Sequence, residues 1–317
     1  MTKSQKTADS LAIQQLRSFC RVWERRSYAA AARELGISVP TIWEQVRAIE
    51  KRAGQALFVR RGRRIEPTHA ADMLKESLDP LLSGIDSTFE SLHESSADAP
   101  KALTLLTGAR MMLEDLGPAL KRFRDIYPRT CLRLMHAQGL GVEEKIVRGD
   151  ADLALTLEPG PGLFSRGVQS ERAYQIDYLV VLPRRHALAN KSQISLADVV
   201  RYPLIAGNAG TYGRQLLEQA LHHEGLLESA QIAAETDTSA FTIACVRAGM
   251  GIGIVAGRSR GILSRNLVTR PLTRQLGQAW IAFVWKRGRR LTTAVQSLIQ
   301  FVKEAANVAA SPHSVVD

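Results

Sequence analysis

The sequence predicts an α/β body of two similar lobes, preceded by a short, α-rich head and one long connecting helix. Three observations carry this expectation. From Ala102 onward, apolar strand-like runs alternate with amphipathic helical stretches, the pattern of a parallel sheet with crossover helices. Residues 11–70 instead hold short helical periods closed by glycines, and a heptad-like apolar stripe follows from Met73 to Leu92. Charge divides the chain at the same place. Residues 1–70 carry 14 Lys/Arg against 6 Asp/Glu, whereas the remainder carries 28 against 25. A basic head on a nearly neutral body is the electrostatic footprint of a nucleic-acid-binding module.

The head reads as three helices and a hairpin. Leu11 to Arg25 places Ile13, Leu16, Phe19, Cys20 and Trp23 on one face at steps of three and four. Ser27 is a good N-cap for Tyr28-Ala-Ala-Ala-Ala-Arg-Glu-Leu35, whose alanines let a neighbouring helix approach closely. Gly36 suits the left-handed position that ends a helix, and Ile37 returns to the core. Ser38 caps a third helix with Pro40 in its first turn, where a missing N–H costs nothing. Ile42, Val46 and Ile49 fix its buried face, which leaves Val39, Thr41, Trp43, Glu44, Arg47 and Lys51 on the exposed arc. Two helices around a glycine turn, with a polar outer face on the second, make a helix-turn-helix. Beyond it, Leu57–Val59 and Ile65 are strand-like. Gly62 turns between Arg60/Arg61 and Arg63/Arg64, forming a two-stranded wing whose arginines suit phosphates or the minor groove.

Residues 71–100 connect the head to the body. Met73, Leu74, Leu78, Leu81, Leu82, Ile85, Phe89 and Leu92 form one seam along a helix, kinked at Pro80 and ending in a polar hinge, Glu94–Pro100. That seam either packs on its own domain or pairs with a second copy. The body spans 101–306: lobe I covers about 101–171 and 277–306, lobe II about 172–276, and 307–317 form a flexible tail. Expected strands are Leu103–Thr107, Leu132–His136, Ala151–Leu157, Tyr178–Leu182, Leu204–Ala206, Ile232–Glu235, Ile252–Val255 and Trp280–Trp285, with a final helix Thr293–Ala306. Ligands of such sheets sit at strand carboxyl ends and helix N-termini between the lobes. Thr104, Thr107, Gly108, Ala109, Arg110, Thr156, Asn208, Gly210, Thr211, Thr236, Asp237, Thr238 and Ser239 would converge there, a polar cradle for a small anion or zwitterion. Each Thr has the alternative of capping a helix or strand end, and Arg110 and Arg214 that of a solvated surface charge.

Composition excludes several classes. No apolar run approaches the roughly 20 residues of a membrane span. The polar stretch Met1–Ser10 lacks the apolar core of a secretory signal, so a cytoplasmic protein is expected. Cys20, Cys131 and Cys245 sit apart in apolar neighbourhoods and read as buried small hydrophobes; no metal site and no cofactor are expected from the histidine and cysteine spacings. A solute receptor would fit the body but not the basic head. An enzyme would need a GxSxG, a P-loop or a paired His/Cys/Asp constellation, and none is present.

Leu16-x-x-Phe19, Ser27-Tyr28-x-x-Ala31-Ala32-x-x-Leu35-x-Ile37-Ser38-x-Pro40, Ile49-Glu50-x-x-x-Gly54-x-x-Leu57-Phe58-x-Arg60 and Pro67-Thr68 together resemble the LysR-type transcriptional regulators. The resemblance is dense over 11–70 and continues in layout to about residue 305. It implies double-stranded DNA contacted by Ser38, Val39, Pro40, Thr41, Trp43, Glu44, Arg47 and the wing arginines. It also implies a periplasmic-binding-protein-like effector domain, pairing of the long helix into a homodimer or homotetramer, and RNA polymerase as a partner. Three positions depart from the family pattern: Val39 replaces a usual Gln, Trp43 a usual Ser, and Ala71 the usual Gly at the end of Thr68-x-x-Ala71. Gln reads a base edge by paired hydrogen bonds, whereas Val can only touch a thymine methyl, so the family's base preference does not transfer there. Thr107-x-Ala109-Arg110 and Arg247-Ala-Gly-Met-Gly-Ile-Gly-Ile254 further resemble the cysteine-biosynthesis regulators of the family.

Overall fold

Helix α1 (Ile13–Arg25), α2 (Tyr28–Leu35) and α3 (Val39–Ala53) form where the apolar periodicity places them. The computed structural model describes residues 11–61, 64–94, 100–137, 139–160, 164–259 and 261–310. They fall into two units, residues 1–93 with 287–290, and the rest. In the first unit Ser27 accepts from the Ala30 N–H at 3.2 Å and Ser38 from the Thr41 N–H at 3.2 Å, so both expected caps are in place. Gly36 takes φ +66°, a conformation that costs a residue with a Cβ, and turns the chain between α2 and α3. Ala31 and Ala32 are fully buried, which brings α2 against its neighbours.

Strands β1 (Phe58–Arg61) and β2 (Arg64–Pro67) pair antiparallel, with Arg61 opposite Arg64. Thr68 then donates to the Ala56 carbonyl and accepts from the Ala71 N–H, closing the hairpin and opening α4 (His69–Glu94) in one residue. The helix continues through Pro80. Its apolar stripe is wider than the core it meets. Ala71, Leu78 and Leu82 pack with Phe19, Val22, Ile42, Val46, Ile49 and Leu57, while Met73 and Leu81 are exposed. The Phe89 and Leu92 side chains and residues 95–99 of the expected hinge lie outside the described residues. Lys75 is buried on the same helix and pairs with Asp79 at 2.6 Å and Glu24 at 3.3 Å, tying α4 to α1.

The second unit is built on one nine-stranded sheet, β4-β3-β5-β11-β6-β9-β7-β8, with β10 on β6. The first lobe holds β3 (Ala102–Thr107), α5 (Ala109–Glu114), α6 (Gly117–Ile126), β4 (Cys131–His136), α7 (Leu140–Arg148) and β5 (Leu153–Leu157). The second holds α8 (Leu196–Val199), β7 (Leu204–Gly207), α9 (Tyr212–His223), β8 (Ile232–Thr236), α10 (Ser239–Arg247), β9 (Ile252–Gly257), β10 (Leu267–Pro271) and α11 (Thr273–Leu276). Strand β6 (Val168–Pro183) crosses between them: its first half pairs with β11 (Gln278–Lys286), its second with β9 and β10. Within each lobe three strands run parallel, but β6 and β11 are antiparallel to their partners. The sheet is therefore mixed, where alternation alone predicted a parallel one. Helix α12 (Thr293–Ala310) closes the first lobe and runs into the tail expected to be flexible; residues 311–317 of that tail, like Met1–Ser10, lie outside the described residues.

Among the cysteines, Cys20 is buried and Cys245 half-buried, but Cys131 is exposed. Among the described residues β4 is an edge strand that pairs with β3 alone, so its apolar run is not covered on its outer side. Among the described residues no helix is long and apolar enough to cross a membrane, and no group of His, Cys, Asp or Glu could hold a metal ion.

Candidate functional site

The exposed arc of α3 is the first candidate. Ile42, Val46 and Ile49 hold one side in the core. Ser38, Val39, Pro40, Trp43, Glu44 and Arg47 are exposed and Thr41 is half-buried, so the residues expected on the outer face are there. The Arg47 guanidinium lies 5.0 Å over the Trp43 ring and 3.6 Å from the Glu50 carboxylate. Glu50 also accepts from the Leu57 N–H at 2.9 Å and the Phe58 N–H at 3.3 Å. A carboxylate on α3 thus satisfies the first donors of the wing and fixes the two elements relative to each other, a positioning role that the sequence did not reveal. Phe58 continues this junction, its ring 5.6 Å from Phe19 and 6.2 Å from Tyr28. Arg60 and Arg61 are exposed on β1, Arg61 pairing with Glu66 at 3.2 Å. Gly62, Arg63 and the Arg64 side chain, expected at the wing tip, lie outside the described residues.

Ala71 stands where the family resemblance leads one to expect glycine; it is fully buried in the core of the head, and its N–H donates to the Thr68 hydroxyl at 3.3 Å. The neighbouring Asp72 carboxylate accepts from Trp23 Nε1 at 2.7 Å. Trp23 is further flanked by Arg26 at 4.4 Å and Lys75 at 5.2 Å. Asp72 and Lys75 of α4 thus hold Trp23 of α1 from two sides.

The junction of the two lobes is the second candidate, and there the expected residues separate. Side chains alternate along β3, so Leu103, Leu105 and Thr107 face the main core while Thr104 and Leu106 face the smaller one. On β5 the same alternation puts Thr156 with Ala154, again away from Thr107. Thr104 and Thr156 therefore do not join Thr107 in one cradle; a period-two strand forbids it. Thr236 and Thr238 are also spent locally. The Thr236 hydroxyl is 2.6 Å from that of Thr242, and Thr238 caps α10 by accepting from the Phe241 N–H at 3.1 Å. Asn208, Gly210 and Thr211 form an exposed turn at the end of β7, with Gly210 at φ +85° and Thr211 donating to the Asn208 carbonyl. Asp237 is exposed. Gly108 and Ala109 open α5 directly after Thr107, whose buried hydroxyl has no hydrogen-bond partner among the described residues.

Arg110 is the surprise. Its alternative reading as a solvated charge fails: the residue is 6% exposed and sits in a buried charge cluster. Its Nη1 is 2.9 Å from Asp115 and 3.7 Å from Glu114. Asp115 further takes the Tyr174 hydroxyl at 2.6 Å and Arg258 Nε at 3.0 Å. Burial by itself would lower the Arg110 pKa, but Asp115, Tyr174 and Glu114 outweigh it and hold the guanidinium charged. Neither Nη atom has an aligned hydrogen bond among the described residues. A cavity of about 10 Å³, room for one water, adjoins the guanidinium between Ser239, Gly257, Arg258 and Thr269. Arg214 is likewise no free surface charge, since it pairs with Glu218 at 2.7 Å and Glu235 at 2.9 Å. The cluster residues Glu114, Asp115, Tyr174 and Arg258 carry no motif. They are brought together only by the strand crossing, so sequence spacing had no signal for them.

The cluster also clasps the lobes. Glu114 and Asp115 belong to the first, and they hold the Leu263 N–H at 3.1 Å and Arg258 of the second. Burial, the largest influence, holds the Glu114 carboxyl above its ordinary 4.5, aided by Asp115, while the Leu263 N–H and Arg110 pull the other way. A carboxyl raised on folding contributes stability that is complete below 4.5 and lost as pH rises through its folded value. Glu114→Gln is therefore expected to gain on the wild type progressively as pH rises from 4.5 toward neutrality. Denaturant midpoints across that range test it, and a constant difference would contradict the assignment.

Two family models match the chain. Residues 13–72 match the bacterial regulatory helix-turn-helix protein of the lysR family, and residues 102–307 match the LysR substrate binding domain. The chain is 29% identical to the transcriptional regulator CysB of Haemophilus influenzae over 242 residues, covering 75% of this chain and 73% of that protein. It is 27% identical to the regulator CbbR of Xanthobacter flavus over 307 residues, covering 92% and 87%. In fold it is similar to a full-length OxyR variant from Pseudomonas aeruginosa, with a TM-score of 0.58 at 15% identity over 93% of this chain and 98% of that one. With its helix-turn-helix head and its two-lobed α/β body, the chain belongs to the LysR family and is a transcriptional regulator with a DNA-binding and an effector-binding domain.

Proposed function

We propose that this regulator couples occupancy of the lobe junction by a small anion or zwitterion to the reading of an operator by α3 and the wing. The observation that carries the effector half is the Arg110 guanidinium, buried at the junction with both Nη atoms lacking an aligned hydrogen bond. Buried polar groups in folded proteins nearly always have partners, so an unaligned one marks a place for water or ligand. Two guanidiniums and two carboxylates offer both signs of charge, which favours a zwitterion. With only about 10 Å³ of space, a metabolite enters only if the clasp loosens, and that links binding to the angle between lobes. Of the residues expected to line the site, Thr107, Gly108, Ala109 and Arg110 remain the core of the proposal, with the Asn208–Thr211 turn as its second wall.

The resemblance of Thr107-x-Ala109-Arg110 to the cysteine-biosynthesis regulators and the likeness to CysB both favour a sulfur-metabolism ligand. Self-association through α4 is part of the proposal, supported by the exposed Met73 and Leu81. So are a cytoplasmic location, where the DNA is, action without catalysis, and contact with RNA polymerase. A ligand that binds the folded state raises its unfolding midpoint by mass action. The full chain titrated with sulfate, thiosulfate and acetylserine is expected to gain stability with one of them, and Arg110→Met to abolish the gain. Equal gains in the variant would remove Arg110 from the site; no gain with any probe would reject the proposed ligand class.

A further inference from the structure

Resting on the operator-reading role of α3, we infer that Val39 and Trp43 select thymine by its 5-methyl group, so that the operator is read partly by apolar contact. The two residues are four apart, on the side of α3 away from its buried positions, and are 45% and 48% exposed. The fold has no need of these large apolar side chains, because Ile42, Val46 and Ile49 already supply the core. Further along the same row come Arg47, stacked on the Trp43 ring at 5.0 Å, and Lys51. The helix thus presents an apolar amino end and a cationic carboxyl end.

That order matches a duplex. The amino end of a recognition helix meets base edges, and cations alongside it meet phosphates. Base edges in the major groove are donors and acceptors with one exception, the thymine methyl. An indole or isopropyl group desolvates a donor or acceptor without replacing its hydrogen bond, which disfavours the other bases, whereas the methyl gains from the contact. The surplus of 14 Lys/Arg over 6 Asp/Glu in residues 1–70 supplies the charge complementarity that seats the helix.

The test uses the full-length protein and duplexes it selects from a random pool. Deoxyuridine in place of thymidine deletes only the methyl. One or two such replacements in each half-site are expected to weaken wild-type binding about 3- to 10-fold each. Val39→Ser and Trp43→Ala are expected to bind more weakly and to lose that sensitivity, each at a different thymine. Arg47→Gln serves as the contrast: it lowers the salt dependence and keeps the methyl effect. Unchanged thermal midpoints verify that the exposed substitutions leave the fold intact. The inference is overturned if no replacement weakens wild type, or if both variants keep its sensitivity. It is also overturned if Trp43→Ala alters the assembly state and leaves DNA affinity unchanged, since Trp43 would then face another copy. Failure to select any sequence would instead reject the operator-reading role itself.

Discussion

Asp115→Ala is expected to destabilise the effector unit by about 3–5 kcal/mol, the cost of breaking a buried ion pair by removing one partner. The carboxylate is 2% exposed and holds Arg110, Arg258 and the Tyr174 hydroxyl at once. Alanine would leave two guanidiniums in a buried cluster with Glu114, 3.7 Å from Arg110, as the remaining carboxylate. Asp115→Asn keeps the shape and one acceptor oxygen and is expected to recover part of the loss. Denaturant unfolding followed through Trp280 and Trp285, both on β11, reports this unit. A loss below about 1 kcal/mol for the alanine variant, the size of an exposed pair, would mean that water reaches the cluster. Since Asp115 also joins the lobes, surviving Asp115→Asn protein should open its junction more readily and bind the effector with altered affinity.

The second large effect is expected at Phe19. Its ring is fully buried among α1, α3 and α4 and lies against Phe58 of the wing. Phe19→Ala removes most of that volume and leaves a cavity, at a cost of about 3–5 kcal/mol. For a unit of this size that is a large share of the total stability, which seldom exceeds about 5–15 kcal/mol. The head is expected to unfold while the effector unit persists, visible as early loss of the Trp23 and Trp43 fluorescence signal and of DNA binding. Ligand-dependent stabilisation of the body should survive. Phe19→Leu fills more of the space and is expected to restore binding. Retained operator affinity in Phe19→Ala would show that the Phe19 ring is not needed to hold the wing in place.

The head was readable from its sequence because its signals are local. Caps at Ser27 and Ser38, the left-handed Gly36 and the four-three spacing of Ile42, Val46 and Ile49 each act within one turn of chain. The α4 stripe was read less well. Heptad spacing located the helix, but it merged Leu78 and Leu82, which enter the core, with Met73 and Leu81, which do not. The alternating body was legible as two lobes, yet the length of β6 was not, since polar residues such as Ser170, Glu171 and Arg172 interrupt its apolar run. The lobe junction was legible least. Residue type suggested a cradle of threonines, but strand alternation turns Thr104 and Thr156 away, and Thr236 and Thr238 serve the backbone and a neighbouring hydroxyl. What occupies the junction is a charge cluster whose members are up to 148 positions apart, from Arg110 to Arg258. Distance of that kind leaves no pattern in a single chain.

The placement of α3 in a major groove underlies the functional account. Guanine N7 lies on the floor of that groove, and dimethyl sulfate reports its accessibility base by base. On a duplex selected by the full-length protein, two N7 patches are expected to be shielded, separated by whole helical turns of about 10 base pairs. Trp43→Ala should weaken that shielding. Bound DNA whose N7 positions all stay reactive would contradict the placement and leave the helix without its role.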